Sequence, residues 1–224
     1  MLICFGGDGT ILHSSKIATE HNLPILGVNI GTMGFIAELE SGEIELLRKI
    51  PKGEYTVEER TMLDVSVGNG RQTIFHETAL NDAVITKGAI ARVVQLGIYC
   101  DGVEATSYSG DGVILCTPTG STAYSLSAGG PIIYSSIECI SVTAICPHSL
   151  ASRAILYSPE EVFTVRGRYV NNSEILYMSV DGENRVRIEP TDCVVISKDS
   201  RYVKYVNFGS KHYFEKLNKK IMGR

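Results

Sequence analysis

The chain has 224 residues, 44% hydrophobic and 21% charged, the composition of a globular protein with room for one large domain or two small ones. A net charge of −4 lacks the basic surplus of a nucleic-acid binder, yet leaves room for a small anionic ligand held by clustered N–H groups. No apolar stretch approaches the roughly 20 residues of a membrane span, and the apolar run at residues 1–5 is too short for the core of a signal peptide.

Residues 1–5 read as a short buried strand, and Gly6-Gly7-Asp8-Gly9-Thr10 follows directly. Glycines let backbone N–H groups approach phosphate oxygens closely. A carboxylate repels phosphate, so Asp8 in such a cradle points to chemistry beyond holding the anion. The simplest is taking the proton of a hydroxyl that attacks the phosphate. The plainer alternative is a strand-to-helix turn with Asp8 as its N-cap. Residues 10–20 carry Ile11, Leu12, Ile17 and Ala18 at helical spacing and stop at His21-Asn22. Residues 24–29 read as a second buried strand, followed by a loop over 30–35. Residues 41–50 form a predicted helix with Ser41 as N-cap and Glu43 and Glu45 in its first turn. Two apolar strands joined by a helix imply a parallel βαβ unit, Rossmann-like and nucleotide-binding in type but short, as if truncated.

From about Tyr55 the apolar period becomes two. Strands are predicted at 61–67, 74–75, 82–87, 93–100, 111–117, 140–145, 161–166, 176–180, 186–189 and 194–197. Turn chemistry separates them at Gly68-Asn69-Gly70, Asp101-Gly102, Asn171-Asn172 and Asp181-Gly182. So many short strands imply an all-β domain of β-sandwich type. Residues 211–221 return to helix, with Tyr213, Phe214, Leu217 and Ile221 on one face, expected to pack on the N-terminal sheet. The expected domains are therefore 1–54 with 205–224 (α/β) and 55–204 (all-β). The cysteines at 4, 100, 116, 139, 146 and 193 form no CxxC pair, and several lie in apolar runs. They read as free thiols in a reducing, cytoplasmic compartment.

Two further runs carry chemistry. Ser109 to Tyr124 (SGDGVILCTPTGSTAY) ends a strand in several hydroxyls and small residues at a helix start. That place can present N–H and O–H groups to a base edge or a phosphate, with Tyr124 as a stacking ring. It can equally be a Ser/Thr-capped short helix ending at Gly129-Gly130-Pro131. Asn81-Asp82, at a strand start, can grip a ribose diol or an adenine edge, or be an ordinary turn.

Together, the Gly6–Thr10 run, Asn81-Asp82-Ala83-Val84-Ile85 and the SGDGVILCTPTGSTAYSLSAGGP run at 109–131 resemble NAD kinase. Pro147-His148-Ser149-Leu150 with Ser152-Arg153, and Ser179-Val180-Asp181-Gly182, resemble that family's later motifs, so nearly the whole chain is covered. The first run is shared with diacylglycerol and sphingosine kinases and loosely with phosphofructokinases; the TPTGSTAY run is much narrower.

The resemblance implies transfer of the γ-phosphoryl group of ATP to the 2′-hydroxyl of the adenosine ribose of NAD, giving NADP, with Mg2+ arriving on ATP. It implies Asp8 as the general base and Gly6, Gly7, Gly9 and Thr10 as the phosphate-holding loop. Asn81 and Asp82 correspond to adenosine contacts, and Thr122, Ala123 and Tyr124 to adenine- and nicotinamide-site residues. Ser127 and Asp111 would lie near the carboxamide, and Phe35 near the adenine. A homodimer or homotetramer is implied as well, and no protein cage for the metal. Three departures stand out: Asp82 for the common Glu, Ala154 for a proline, and no βα stretch before Gly6. The last keeps open a catalytically weak NAD(P)-binding module, and a lipid kinase is the remaining alternative. His148 reads as structural or as a phosphate contact; Arg153 as a carboxylate partner or a phosphate contact.

Overall fold

The computed structural model describes residues 1–31, 34–88, 93–168, 175–209, 215 and 217–219. The chain has a mixed α/β fold with two sheets and divides into two compact units, Met1–Arg60 with Arg201–Arg224, and Thr61–Ser200.

In the first unit, β1 (Leu2–Phe5) pairs parallel with β2 (Ile25–Asn29), and α1 (Asp8–Glu20) is the crossover between them. Every residue of β2 is buried, as the unbroken apolar run requires of a strand covered on both faces. Ile11 and Ala18 of α1 are fully buried, and Gly27 of β2 gives Ile11 its room. The buried Ser15 hydroxyl is satisfied by the Ile11 carbonyl and by the Tyr205 hydroxyl, each at 2.7 Å. A two-residue strand, β3 (Leu39–Glu40), extends β2 in parallel and leads into a 3-10 helix at Ser41–Lys52. Leu46, Leu47 and Ile50 of that helix pack on Leu26, Val28 and Leu39.

The cap of this helix corrects the sequence expectation. Glu40, not Ser41, is the N-cap, because the end of β3 gives residue 40 the extended backbone a cap needs. Glu43 returns the bond, accepting from the Glu40 N–H at 2.9 Å in a capping box.

The second unit contains β4 (Thr56–Gly68), β5 (Thr73–Ala79), β6 (Asp82–Lys87), β7 (Val94–Cys100), β8 (Val103–Gly110) and β9 (Gly112–Cys116). After the one-turn helix α2 (Tyr124–Ser127) come β10 (Ile140–Ile145), β11 (Ile155–Tyr157), β12 (Phe163–Gly167), β13 (Leu176–Val180), β14 (Glu183–Ile188) and β15 (Cys193–Asn207). One sheet runs in the order β11-β10-β9-β6-β13-β14; the other places β15, β12, β7 and β8 side by side, with β4 pairing β5 and β15. Inward-facing residues of both sheets, among them Ile85, Leu115, Val142 and Met178 from one and Val65, Ile98, Phe163 and Ile196 from the other, share one buried core. By chain continuity β4 and β15 also enter the first unit, where Tyr205 pairs parallel with Ile25.

Strands β8 and β11 and the second half of β15 lie outside the predicted set. The β8 sequence VEATSYSG is largely polar, and this edge strand sends Tyr108 into the core while Val103, Glu104, Ala105 and Ser107 are exposed, so its alternation is faint. Cys4, Cys116 and Cys139 are buried free thiols, whereas Cys146 is exposed. Glu215 and residues 217–219 have helical backbone; Tyr213, Phe214 and Ile221 of the predicted apolar face, and Asn171-Asn172, lie outside the described residues. Among the described residues no helix is long and apolar enough to cross a membrane.

Candidate functional site

The glycine-rich turn lies in the first unit. Gly6 closes β1, its N–H donating to the Val28 carbonyl at 3.0 Å. A Cβ on Gly6 would come within 2.5 Å of the Thr10 Cβ, so this glycine is required for close packing. Gly7, with extended backbone, is the N-cap of α1 and makes no side-chain capping bond. The Cβ positions of Gly7 and Gly9 face open space, and the first ladder bond of the helix runs from the Ile11 N–H to Gly7. The N–H groups of residues 8–10 therefore stand outside the helical ladder, the usual basis of anion binding at a helix start.

Asp8 is the first residue of α1 and does not cap it, which removes the N-cap alternative. Its carboxylate reaches instead to the loop before β3. Oδ2 accepts the Phe35 N–H at 2.8 Å, and Oδ1 accepts the Ile36 N–H at 3.1 Å. Two backbone donors of that loop thus meet both oxygens of the carboxylate. Phe35 meets Asp8 through its main chain.

The second unit holds a cavity of about 750 Å³ along β6 and β13. Of the sequence-predicted residues, Asn81, Asp82, Ala123 and Tyr124 line it together. Tyr177, Lys87 and Arg185, to which the sequence had assigned no role, line it too, as does Asp181, expected from the sequence as a turn residue within a family motif. Thr122 and Ser127 are not in its wall. Asp111 stands one contact behind it, paired at 2.6 Å with the Lys87 ammonium.

Asp181 organises this wall. With Gly182 it forms the β13–β14 turn, both residues at positive φ (51° and 78°), as a two-residue hairpin demands. Its carboxylate accepts the N–H groups of Leu80 (3.0 Å), Asn81 (2.8 Å) and Asp82 (3.2 Å). The Asp181 N–H returns a bond to the Asp82 carbonyl at 2.9 Å. Asp82 itself is only 4% exposed. Burial, and secondarily the negative charge of Asp181, push its carboxyl up to about 7. Behind it, burial pushes the Cys116 thiol up to about 12. The Asn81 Oδ1 is buried and has no hydrogen-bond partner in the structure. An orphaned acceptor in a cavity wall costs on the order of 1–3 kcal/mol unless a ligand donor meets it.

Hydroxyls of the TPTGST run brace this wall. The Thr117 hydroxyl donates to the Leu80 carbonyl, Ser121 to Pro118 and Thr122 to Thr119. The Thr117 N–H donates to the Asn81 carbonyl at 2.9 Å. A Cβ on Gly120 would stand 2.7 Å from the Asn81 Cα and nearer its carbonyl group. Gly120→Ala is therefore expected to lower stability by about 1–3 kcal/mol through overpacking. Calorimetric unfolding checks this, and a wild-type melting midpoint would show that the turn yields freely.

The exposed His148 donates its N–H to the Ser109 carbonyl, and Arg153 closes its own turn by donating to the Leu150 and Ser152 carbonyls. Both bonds are structural, and among the described residues Arg153 has no carboxylate partner. Only Cys100, Asp101 and Glu161 bring three candidate metal-ligand atoms together among the described residues, and there the Cys100 thiol donates to Glu161 at 2.8 Å. A protonated sulfur does not suit a hard, oxygen-seeking cation.

Comparison with known proteins follows the same outline. Residues 1–55 match the family described as the ATP-NAD kinase N-terminal domain, and residues 80–208 the ATP-NAD kinase C-terminal domain. The chain is 41% identical over 224 residues to an NAD kinase of Caldanaerobacter subterraneus subsp. tengcongensis, covering all of this chain and 78% of that one. It is 39% identical over 222 residues to an NAD kinase of Geobacter sulfurreducens, covering 99% and 78%. Yeast NADH kinase complexed with NADH superposes with a TM-score of 0.89 at 27% identity, over 99% of this chain and 65% of that one. An NAD kinase from Archaeoglobus fulgidus in complex with ATP gives 0.76 at 27% identity, over 99% and 82%.

Proposed function

The chain belongs to the ATP-NAD kinase family, and from that premise we propose how its residues divide the work. It is an ATP-dependent kinase that transfers a phosphoryl group to NAD. The acceptor is the 2′-hydroxyl of the adenosine ribose, and the product is NADP. Asp8 takes the hydroxyl proton as the new P–O bond forms. The Gly6–Thr10 turn holds the triphosphate with its backbone N–H groups, unobstructed at Gly7 and Gly9.

Phosphoryl transfer has a loose transition state, so positioning and charge neutralisation supply most of the rate. ATP would enter as its magnesium complex, the metal supplying charge neutralisation at the phosphates. The N-terminal dipole of α1 favours the same negative charge. Asn81 and Asp82 hold the adenosine. The buried Asn81 Oδ1 accepts from an N–H or O–H of the ligand, and an ionised Asp82 accepts from a hydroxyl. Ala123 leaves the wall shallow, and the half-exposed Tyr124 ring offers a stacking face. The enzyme works as a homodimer or homotetramer.

One observation carries the assignment: a carboxylate at the start of α1 that does not cap the helix and is held by two N–H groups from a separate loop. A coupled assay with NAD and magnesium-ATP tests it. NADP formation is expected, and NAD binding without turnover at saturating ATP would overturn the kinase assignment.

A further inference from the structure

We propose that Gly34 is a positioning residue for the Asp8 carboxylate, its missing side chain allowing residues 34–36 to close on the general base. This rests on Asp8 serving as that base. A Cβ built on Gly34 would lie 2.6 Å from the Asp8 Cγ and 3.0 Å from Oδ2, and closer still to Oδ1. The carboxylate therefore occupies the space that any side chain at position 34 would fill. The N–H groups of the next two residues, Phe35 and Ile36, are the donors that hold it.

The other glycines of this unit set Gly34 apart. Gly6 abuts Thr10 and Gly27 abuts Ile11, both packing contacts; Gly7 and Gly9 face open space; Gly31 has only the Asn29 Oδ1 at 4.0 Å. Gly34 alone among them abuts an acidic oxygen.

The consequence of adding a methyl group follows from what can give way. A carboxylate on a rotatable side chain moves at much lower cost than backbone. It must turn off the two N–H donors to clear the new Cβ, while α1 and β2 stay in place. A general base acts only within hydrogen-bond reach of the proton it takes. A misplacement of about 1 Å costs on the order of 100-fold in rate.

The test compares wild type, Gly34→Ala, Asp8→Asn and the double variant, with Gly31→Ala as a control in the same loop. In Gly34→Ala, kcat is expected to fall about 100-fold, while KM and the calorimetric Kd for NAD stay within about threefold. Placed on Asp8→Asn, the Gly34 change is expected to cost nothing further, since a residue acting through Asp8 has no target left. Gly31→Ala keeps wild-type kcat. Should Gly34→Ala unfold, Asp8→Ala in the same chain is expected to restore the melting midpoint of Asp8→Ala alone, because the clash is with the carboxylate. The proposal is overturned by a Gly34→Ala kcat within about threefold of wild type, by an equal loss in the Asp8→Asn background, or by a double variant that stays unfolded. An Asp8→Asn enzyme with full kcat would instead remove the general-base assignment itself.

Discussion

Asp8→Asn is expected to lower the rate of NADP formation about 100- to 10,000-fold while leaving NAD binding intact. The substitution conserves volume and keeps one carbonyl oxygen that can accept the Phe35 or Ile36 N–H, so the turn at the start of α1 holds its shape. An amide cannot take a proton at neutral pH, and its NH2 group meets a second N–H where the carboxylate accepted one. General-base catalysis of this kind is worth about 100- to 10,000-fold, and the loss should fall on kcat. The residues proposed to seat NAD, Asn81 and Asp82, belong to Thr61–Ser200 and are covalently remote from Asp8. Calorimetric titration with NAD should therefore return a Kd close to that of wild type. A kcat within about tenfold of wild type would take Asp8 out of the proton-transfer role.

Much of the architecture was legible because buried strands announce themselves. β2, β9 and β10 are buried at every position, and each was a largely apolar run in the sequence, with Asn29, Ser141 and Thr143 the polar exceptions. β8 was silent because this edge strand buries few apolar side chains, Tyr108 among them, and the second half of β15 because Arg201 and Lys204 interrupt the run that buries Val203, Tyr205 and Val206. At the site, Asn81, Asp82, Ala123 and Tyr124 were visible as unusual residue types at a strand start and a helix start. Asp181 was visible as half of a hairpin turn and as part of the Ser179–Gly182 motif, but not as the acceptor that holds this wall. Its bonds run to backbone about a hundred residues earlier, and no local pattern encodes a contact across two strands. The TPTGST run shows the opposite limit. Its composition marked it as special, but whether its hydroxyls face a ligand or lock a turn depends on packing against Asn81, which only the fold supplies.

Asp82 is the residue where stability and function pull apart, and Asp82→Asn should expose the conflict. Its carboxyl titrates near 7 in the fold against 3.8 in the open chain, burial being the larger cause and Asp181 the smaller. The folded state therefore holds a proton that the unfolded chain gives up at lower pH. The resulting stabilisation is fully present below about 4 and is lost as pH rises through about 7, amounting to roughly 4 kcal/mol once Asp82 is ionised. Asparagine has no charge to bury. Its variant should match wild type near pH 4 and exceed it above pH 8, by up to that amount, in thermal or urea unfolding. NAD affinity should move the other way. If an ionised Asp82 accepts from the ribose, bound NAD favours the deprotonated form, so wild-type binding tightens between about pH 6 and 8, while the asparagine variant binds weakly and without that slope. The titratable neighbours are Asp181, which keeps its backbone bonds, and Cys116, whose thiol stays protonated throughout this range. A variant no more stable than wild type at pH 8 would show that the fold already compensates the buried charge. A stabilised variant that binds NAD poorly would show that this chain tolerates a strained acid in its cavity for the sake of the ligand, as functional sites commonly do.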